Sequence, residues 1–402
     1  MILAGVIRLQ TANGQEGLIM LITIKKMIGK IVFSYEGEAV SFTHEIRHPD
    51  DLPATDDSLF RIAILSRPAN DTNYSISGVT PYLESVEFFE NAYNCTITTP
   101  TFATPNYEPL KSLTDDVYLC FSGGFDSVAA KAILPESTHL ISNEFGGAFE
   151  REALFFKNFQ TQVLQWDLRR VRPEGKMKFN ESIDWRFMLA PGLLFKQENK
   201  PITLATGTIL EASPFWYSGT PKPEFQSYSN FGFGRDVSII NPVSCISEYS
   251  TTLIAAKVLS PVFLNKSLDS LAPLKSLKRY RKEVLIALTK GEAVPNPHAD
   301  MPKHVFGRGF SDDTIALYLV WKLGKDWVKL NYCSNIPQHS EYLDMSFFEK
   351  IHTNNLNCFS SKDKQDILDK LQRFELPLYD DDDYLNITKS IALRQAFLST
   401  PK

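Results

Sequence analysis

Between a short apolar run and a helix-forming one lies Ser122-Gly123-Gly124-Phe125-Asp126-Ser127, and this turn constrains the chain more than any other stretch. Residues 117–121 (VYLCF) read as a buried strand, and 127–134 (SVAAKAIL) as a helix stopped by Pro135. A strand that hands over to a helix through two glycines makes a phosphate cradle. Glycine lets the backbone fold with its N–H groups turned inward, and the helix N-terminus adds about half a positive charge at the same point. Ser122 and Ser127 add hydroxyl donors, whereas Asp126 would repel a bare phosphate and suits a magnesium ion or a backbone N–H.

No Gly-Lys-Ser/Thr follows the turn and the GxGxxG spacing is absent, so it is neither a Walker loop nor a dinucleotide fingerprint. With 402 residues the chain has room for two domains, or for one large α/β domain with extensions. A net charge of −5 gives no general attraction to nucleic acid or anionic membrane, and neither is expected as a partner. The basic stretch Lys275, Lys278, Arg279, Arg281 and Lys282 reads as a solvated helix face, with contact to an anionic substrate or RNA as the alternative. Cys95, Cys120, Cys245, Cys333 and Cys358 form no CxxC pair, so neither a disulfide framework nor structural zinc is expected. The apolar run 18–24 is too short to span a bilayer and no signal peptide is visible, which makes the expected location cytoplasmic.

Residues 30–44 alternate apolar and polar around Glu36-Gly37, as a β-hairpin does. Residues 58–66 suit a strand or a short helix and 81–92 have helical spacing, which together suggest a small α+β extension over 1–110. The polar, Pro-containing stretch 96–114 is the expected boundary. In the domain placed at 111–260, strands and helices alternate, the pattern of an α/β parallel sheet with helices on both faces. The strands fall at 117–121, 138–143, 162–167, 202–206 and 237–242, and helices near 126–134, 147–158 and 182–198. Ligands bind outside the carboxyl ends of such strands, where 122–127, 142–144, 167–170 and 207–211 should converge. Past 246 the chain turns helical, with Ser247 capping 247–259, then 274–289, 311–330 and two helices within 341–376. Residues 380–383 read as an acidic loop, and 261–402 as a mostly helical C-terminal region. On this division, removal of 1–96 is expected to be tolerated better than a cut after 246.

The turn resembles the SGGxDS pyrophosphate loop of the PP-loop ATP pyrophosphatase superfamily. Residues 205–211 (ATGTILE) resemble its second signature, a strand ending in glycine with an acidic residue shortly after. Glycine there would let the backbone approach a nucleotide, and Glu211 would ligate magnesium or orient the attacking group; a strand-ending glycine and a helix-capping glutamate are the plainer alternative. Residues 217–225 (YSGTPKPEF) are similar to the Gly-Tyr-Pro-Asp-Cys-Arg-Pro-Glu-Phe segment of 7-cyano-7-deazaguanine synthases. Pro242 followed by Ser247-Glu248 is similar to that family's Pro-Leu and Ser-Lys pair, so the likeness covers 115–260. The chain departs from the family at Thr220-Pro221-Lys222, which replaces Asp-Cys-Arg, and in lacking its C-terminal zinc cysteines.

The resemblance implies a Rossmann-like sheet of the HUP type and an AMP-forming ligase that uses ATP and Mg2+ without zinc. Such an enzyme cleaves ATP to AMP and pyrophosphate and adenylates a carboxylate or amide oxygen of a small molecule, for attack by ammonia or an amine. It implies that Ser122, Gly123, Gly124, Phe125 and Ser127 hold the pyrophosphate with Asp126 and Glu211 at the metal. Phe121 and Asn143 would lie along ribose and adenine, and Gly207 and Thr208 beside the nucleotide. Arg169 and Lys222 are the expected cations at the reacting groups, and Arg170, Arg186 and Arg235 lie on segments that could approach them. No glutaminase signature is visible, so nitrogen would come from free ammonia or from a partner; a multi-protein assembly and a homodimer stay open. An adenylation-driven epimerase of the cell-wall precursor type is a second reading, and a non-catalytic ATP-binding module of a defence-like system a third. Transfer-RNA thiolation is disfavoured, because paired cysteines are missing and the net charge is negative.

Overall fold

The computed structural model describes residues 19–38, 41–49, 52–67, 73–104, 117–146, 149–166, 186–219, 233–234 and 236–400. Strand periodicity builds its first part. Ile19–Met27 (β1), Lys30–Glu36 (β2) and Ser41–Arg47 (β3) bury alternate side chains, putting Ile22, Phe33, Tyr35 and Ile46 on one face. The hairpin expected at 30–44 is β2 with β3, and the apolar run before it is a further strand, paired antiparallel to β2. Asn73–Ser77 (β4) and Thr96–Thr98 (β5) add to β1 in parallel.

All five strands expected beyond 111 are present: Val117–Cys120 (β6), His139–Glu144 (β7), Gln162–Trp166 (β8), Ile202–Ala205 (β9) and Val237–Ile240 (β10). They run parallel in the order β10-β9-β6-β7-β8. Counted from β6, this is the doubly wound order 3-2-1-4-5, whose winding direction reverses between β6 and β9. The fold is a mixed α/β architecture on one ten-stranded sheet, because β3 pairs antiparallel with β8 through Ile46↔Trp166 and Arg47↔Gln165. The N-terminal segment therefore continues the main sheet, which removes the ground for expecting that residues 1–96 can be cut away lightly.

Alternate residues of the parallel strands feed two cores. Ile141, Leu204 and Ile239 point to a face shared with Phe33, Ile62 and Leu193, whereas Leu140, Ala205 and Ile240 point to one shared with Val128 and Ile254. The cores thus cross the boundaries expected near 110 and 260. The segment 105–116, which contains the first of those boundaries, lies outside the described residues. Nine helices of nine residues or more are found among the described residues: Asp56–Leu65 (α1), Leu83–Tyr93 (α2), Phe125–Ile133 (α3), Glu248–Val258 (α4), Pro261–Leu271 (α5), Leu277–Lys290 (α6), Phe310–Leu323 (α7), Ser361–Gln372 (α8) and Asp381–Ser399 (α9). None is long and apolar enough to cross a membrane.

Local chemistry explains where these helices depart from expectation. Residues 58–66 are helical because Thr55 caps α1, its hydroxyl accepting the Ser58 N–H. Of the helix expected over 182–198, residues 182–185 lie outside the described residues; Arg186–Leu189 is one helical turn, and the 3-10 turn Ala190–Phe195 follows, where Pro191 has no N–H to give. That expected over 311–330 breaks at Gly324, where φ is +89°. In 341–376 one α-helix forms instead of two, preceded by the 3-10 turns Ser340–Tyr342, Ser346–Glu349 and Thr353–Cys358. The acidic stretch 380–383 is no loop: Asp380 and Asp383 make a reciprocal capping box, and Asp381 to Asp383 sit in the first turn of α9, where the helix dipole favours negative charge.

A buried charge cluster fastens α1 to the far edge of the sheet. Arg61, 1% exposed, meets Asp57 at 2.6 Å and Asp236 at 2.5 Å, and Lys196 meets the other oxygen of Asp236 at 2.7 Å. Burial alone would raise the Asp236 carboxyl, but the two cations outweigh it and hold it below the ordinary range. Gly234 makes room: at φ +106°, a Cβ there would lie 2.5 Å from the guanidinium. Removing one partner strands a buried charge, so Arg61→Ala should lower the unfolding free energy in urea by about 3–5 kcal/mol. A loss below about 1 kcal/mol would mean that the cluster does not join the two halves.

Candidate functional site

The turn after β6 is built as the residues require. Phe121 donates its N–H to Ile141 on β7 at 2.7 Å, and the chain then reverses into α3 with Gly124 at the N-cap. Gly123 has φ +82°, and a Cβ on it would stand 2.5 Å from the Phe155 ring; one on Gly124 would meet Leu271 at 2.9 Å. Ser127 donates to the Gly124 carbonyl at 2.9 Å and Ser267 of α5 to that of Gly123 at 2.8 Å. Ser122 accepts the Gly124 N–H at 3.3 Å and stands 3.4 Å from the Ser127 hydroxyl. With those carbonyls engaged, the first-turn N–H groups of α3 remain for a ligand, since no helix can satisfy its own first turn. Phe125 contributes only backbone here, because its side chain is fully buried with the Lys282 ammonium 5.2 Å above the ring.

Gly207 brings the end of β9 against that turn. A Cβ at Gly207 would lie 2.8 Å from the Asp126 carbonyl carbon and 2.9 Å from the Ser127 nitrogen. Thr206 and Thr208 share a hydrogen bond of 2.8 Å, and Thr206 also donates to Asn241. Between the ends of β6, β7 and β9 opens a cavity of about 260 Å³ lined by Phe121, Ser122, Asn143, Glu152, Thr206 and Thr208 among others. Asn143 donates to the Met188 carbonyl at 3.0 Å, while its carbonyl oxygen is buried without a hydrogen-bond partner. The structure thus assembles Phe121, Ser122, Asn143, Gly207 and Thr208 with the turn. Arg169, Arg170, Lys222, Arg235 and the segment 167–170 lie outside the described residues. Arg186 is engaged elsewhere, donating to the Tyr93 hydroxyl of α2 at 2.6 Å.

The charges behind the turn come from a stretch expected to be a solvated helix face. Lys282, 2% exposed, lies 3.4 Å from Asp126 and 2.9 Å from Glu248, and Arg281 lies 3.2 Å from Glu248. Asp126 also accepts from Thr251 at 2.6 Å, and its side chain is 35% exposed. Glu248 follows the capping Ser247, and the cation beside both carboxylates comes from α6. Thr251, Glu248 and Lys282 were missed as site residues; their partners lie on other elements, so no local signal marked them. Glu211 is fully buried and accepts the Glu248 N–H at 2.8 Å, a capping role. Burial, then the nearby Glu248 carboxylate, push its own carboxyl up to about 8, so without a cation beside it the group is neutral near pH 7. Among the described residues no three His, Cys, Asp or Glu side chains gather to hold a metal.

No protein-family model, no curated protein and no solved structure matches the chain.

The folded pKa of Glu211 lies above its unfolded value of 4.5, so the stability it confers is full below that value and is lost as pH rises through about 8. Glu211→Gln keeps the acceptor without the charge and should gain about 1–3 kcal/mol over wild type at pH 8.5, but not at pH 5, in denaturant melts. An equal offset at both pH values would contradict a neutral buried Glu211. Gly207→Ala should force the strand end off the turn, at about 1–3 kcal/mol of stability and with loss of any thermal shift by ATP.

Proposed function

We propose that the chain is an adenylating enzyme of the PP-loop ATP pyrophosphatase type, with a Rossmann-like sheet of the HUP kind. It would cleave ATP to AMP and pyrophosphate to activate a carboxylate or amide oxygen of a small molecule for attack by ammonia or an amine. One observation carries the reading: the Ser122 to Ser127 turn stands where the winding of the parallel strands reverses, between β6 and β9, with Gly207 packed on its backbone. In open α/β sheets that crevice is where ligands bind.

The residues present suit the reaction. Displacement at the α-phosphorus leaves a highly charged pyrophosphate, so fixed donors are needed where that charge develops. The first-turn N–H groups of α3 and the Ser122 hydroxyl supply them without reorganising, because Ser127 and Ser267 spend their hydroxyl protons on the loop carbonyls and hold the turn in place. Magnesium, when bound, would neutralise phosphate charge; Asp126 is the residue to hold it, one oxygen being oriented by Thr251 and Lys282. Lys282 stands 3.4 Å from the oxygen that Thr251 holds, and Asn143 with Thr208 would line the nucleoside part of the cavity.

The assay that tests this follows α-labelled ATP with magnesium and a pooled metabolite extract, resolved as AMP, ADP and intact ATP. AMP formation that depends on one extract fraction is expected, and Asp126→Asn or Ser122→Ala should reduce it by at least about a hundredfold while leaving the melting curve intact. Turnover at the wild-type rate in either variant would take the turn out of the mechanism.

A further inference from the structure

Among the described residues, the cavity at the ends of β6, β7 and β9 has a single carboxyl in its wall, that of Glu152, which precedes the short helix Ala153–Phe156. The other polar groups of the wall are neutral: Ser122, Asn143, Thr206, Thr208 and the Cys120 thiol, which burial pushes up to about 12. No hydrogen bond or ion pair engages the Glu152 carboxyl among the described residues. Among the described residues the exposed Lys278 of α6 is the one cation whose field favours its ionisation, and burial outweighs that field, lifting the carboxyl to about 7. Among the described residues no charged group reaches it from the β6, β7 or β9 walls.

This wall is where the nucleoside and phosphates of the proposed substrate would lie. An ionised carboxylate facing a polyanion across about 260 Å³ would repel it, whereas a neutral carboxyl is a hydrogen-bond donor. The divalent cation of the reading above is assigned to Asp126 at the turn, so an ionised Glu152 would face the nucleotide without a cation of its own. We propose that Glu152 contacts the bound nucleotide as the neutral acid, donating one hydrogen bond, so that nucleotide binding takes up a proton at this residue. The inference rests on the nucleotide reading above and adds a specificity-determining residue to it.

Calorimetric titration of the full chain with ATP and magnesium, from pH 6.5 to 8.5 and in two buffers of different ionisation enthalpy, tests it. Wild-type affinity should fall about tenfold between pH 7 and 8.5, as one-proton linkage requires, with buffer-dependent heats that report proton uptake. Glu152→Gln keeps a donor without a titrating group and should bind with an affinity independent of pH and with no uptake. Glu152→Ala, which has neither, should bind more weakly than Glu152→Gln at every pH. PH-independent wild-type binding, or Glu152→Gln binding no better than Glu152→Ala, would overturn the proposal while leaving the nucleotide site standing. Failure of the wild type to bind ATP at any pH would instead overturn the nucleotide reading, and this inference with it.

Discussion

A guanidinium without access to water sets the terms for the whole sheet. Arg61 sits on α1, in the segment before the parallel strands, yet its partner Asp236 lies 175 residues further on, just ahead of β10. A buried charge tolerates no vacancy in its shell, so α1 has one place it can dock, over the parallel half and against the 190–195 turn. That docking lets the strands before it join the same sheet through the brief β3–β8 seam rather than fold as a separate module.

The site follows from a second close approach, this time of backbone to backbone. Gly207 lies so near the Asp126 carbonyl and the Ser127 nitrogen that the two strand-to-helix turns act as one rigid unit. Behind it the charges are sorted by burial. Lys282 and Glu248 keep each other ionised in the interior, whereas Glu211, close to Glu248 but without a cation of its own, is driven to the neutral form. The exposed edge of Asp126 is thus the main negative feature left at the mouth of the turn.

Much of this was legible in the residues. Strands β9 and β10 announced themselves because strands buried on both faces are short continuous apolar runs, and the Ser122 to Ser127 turn because glycine pairs there have few other uses. Ser247 was readable as a cap because a hydroxyl before a helical run has a fixed job, which it performs for Ser250. The continuity of the sheet was not legible, since pairing between β3 and β8 leaves no local mark on either strand. Nor was the fate of the basic stretch at 275–282: a Lys at helical spacing reads as solvated until the opposing Glu248 and Asp126 are known, and those lie on other elements. Arg186 looked free for a substrate for the same reason, although Tyr93 had claimed it.

The narrow seam also bears on how the chain comes off the ribosome. β1, β2 and β3 emerge well before β8, so the Ile46–Arg47 end of β3 has its outer N–H and C=O groups unpaired until residue 166 is made. An idle strand edge invites foreign strands, and β3 carries Ser41, Thr43, Glu45 and Arg47 at alternate positions, polar and charged side chains of the kind that make such an edge unattractive. The sequence of β3 thus has two tasks in succession, to keep its edge unclaimed during synthesis and then to give it to Trp166 and Gln165.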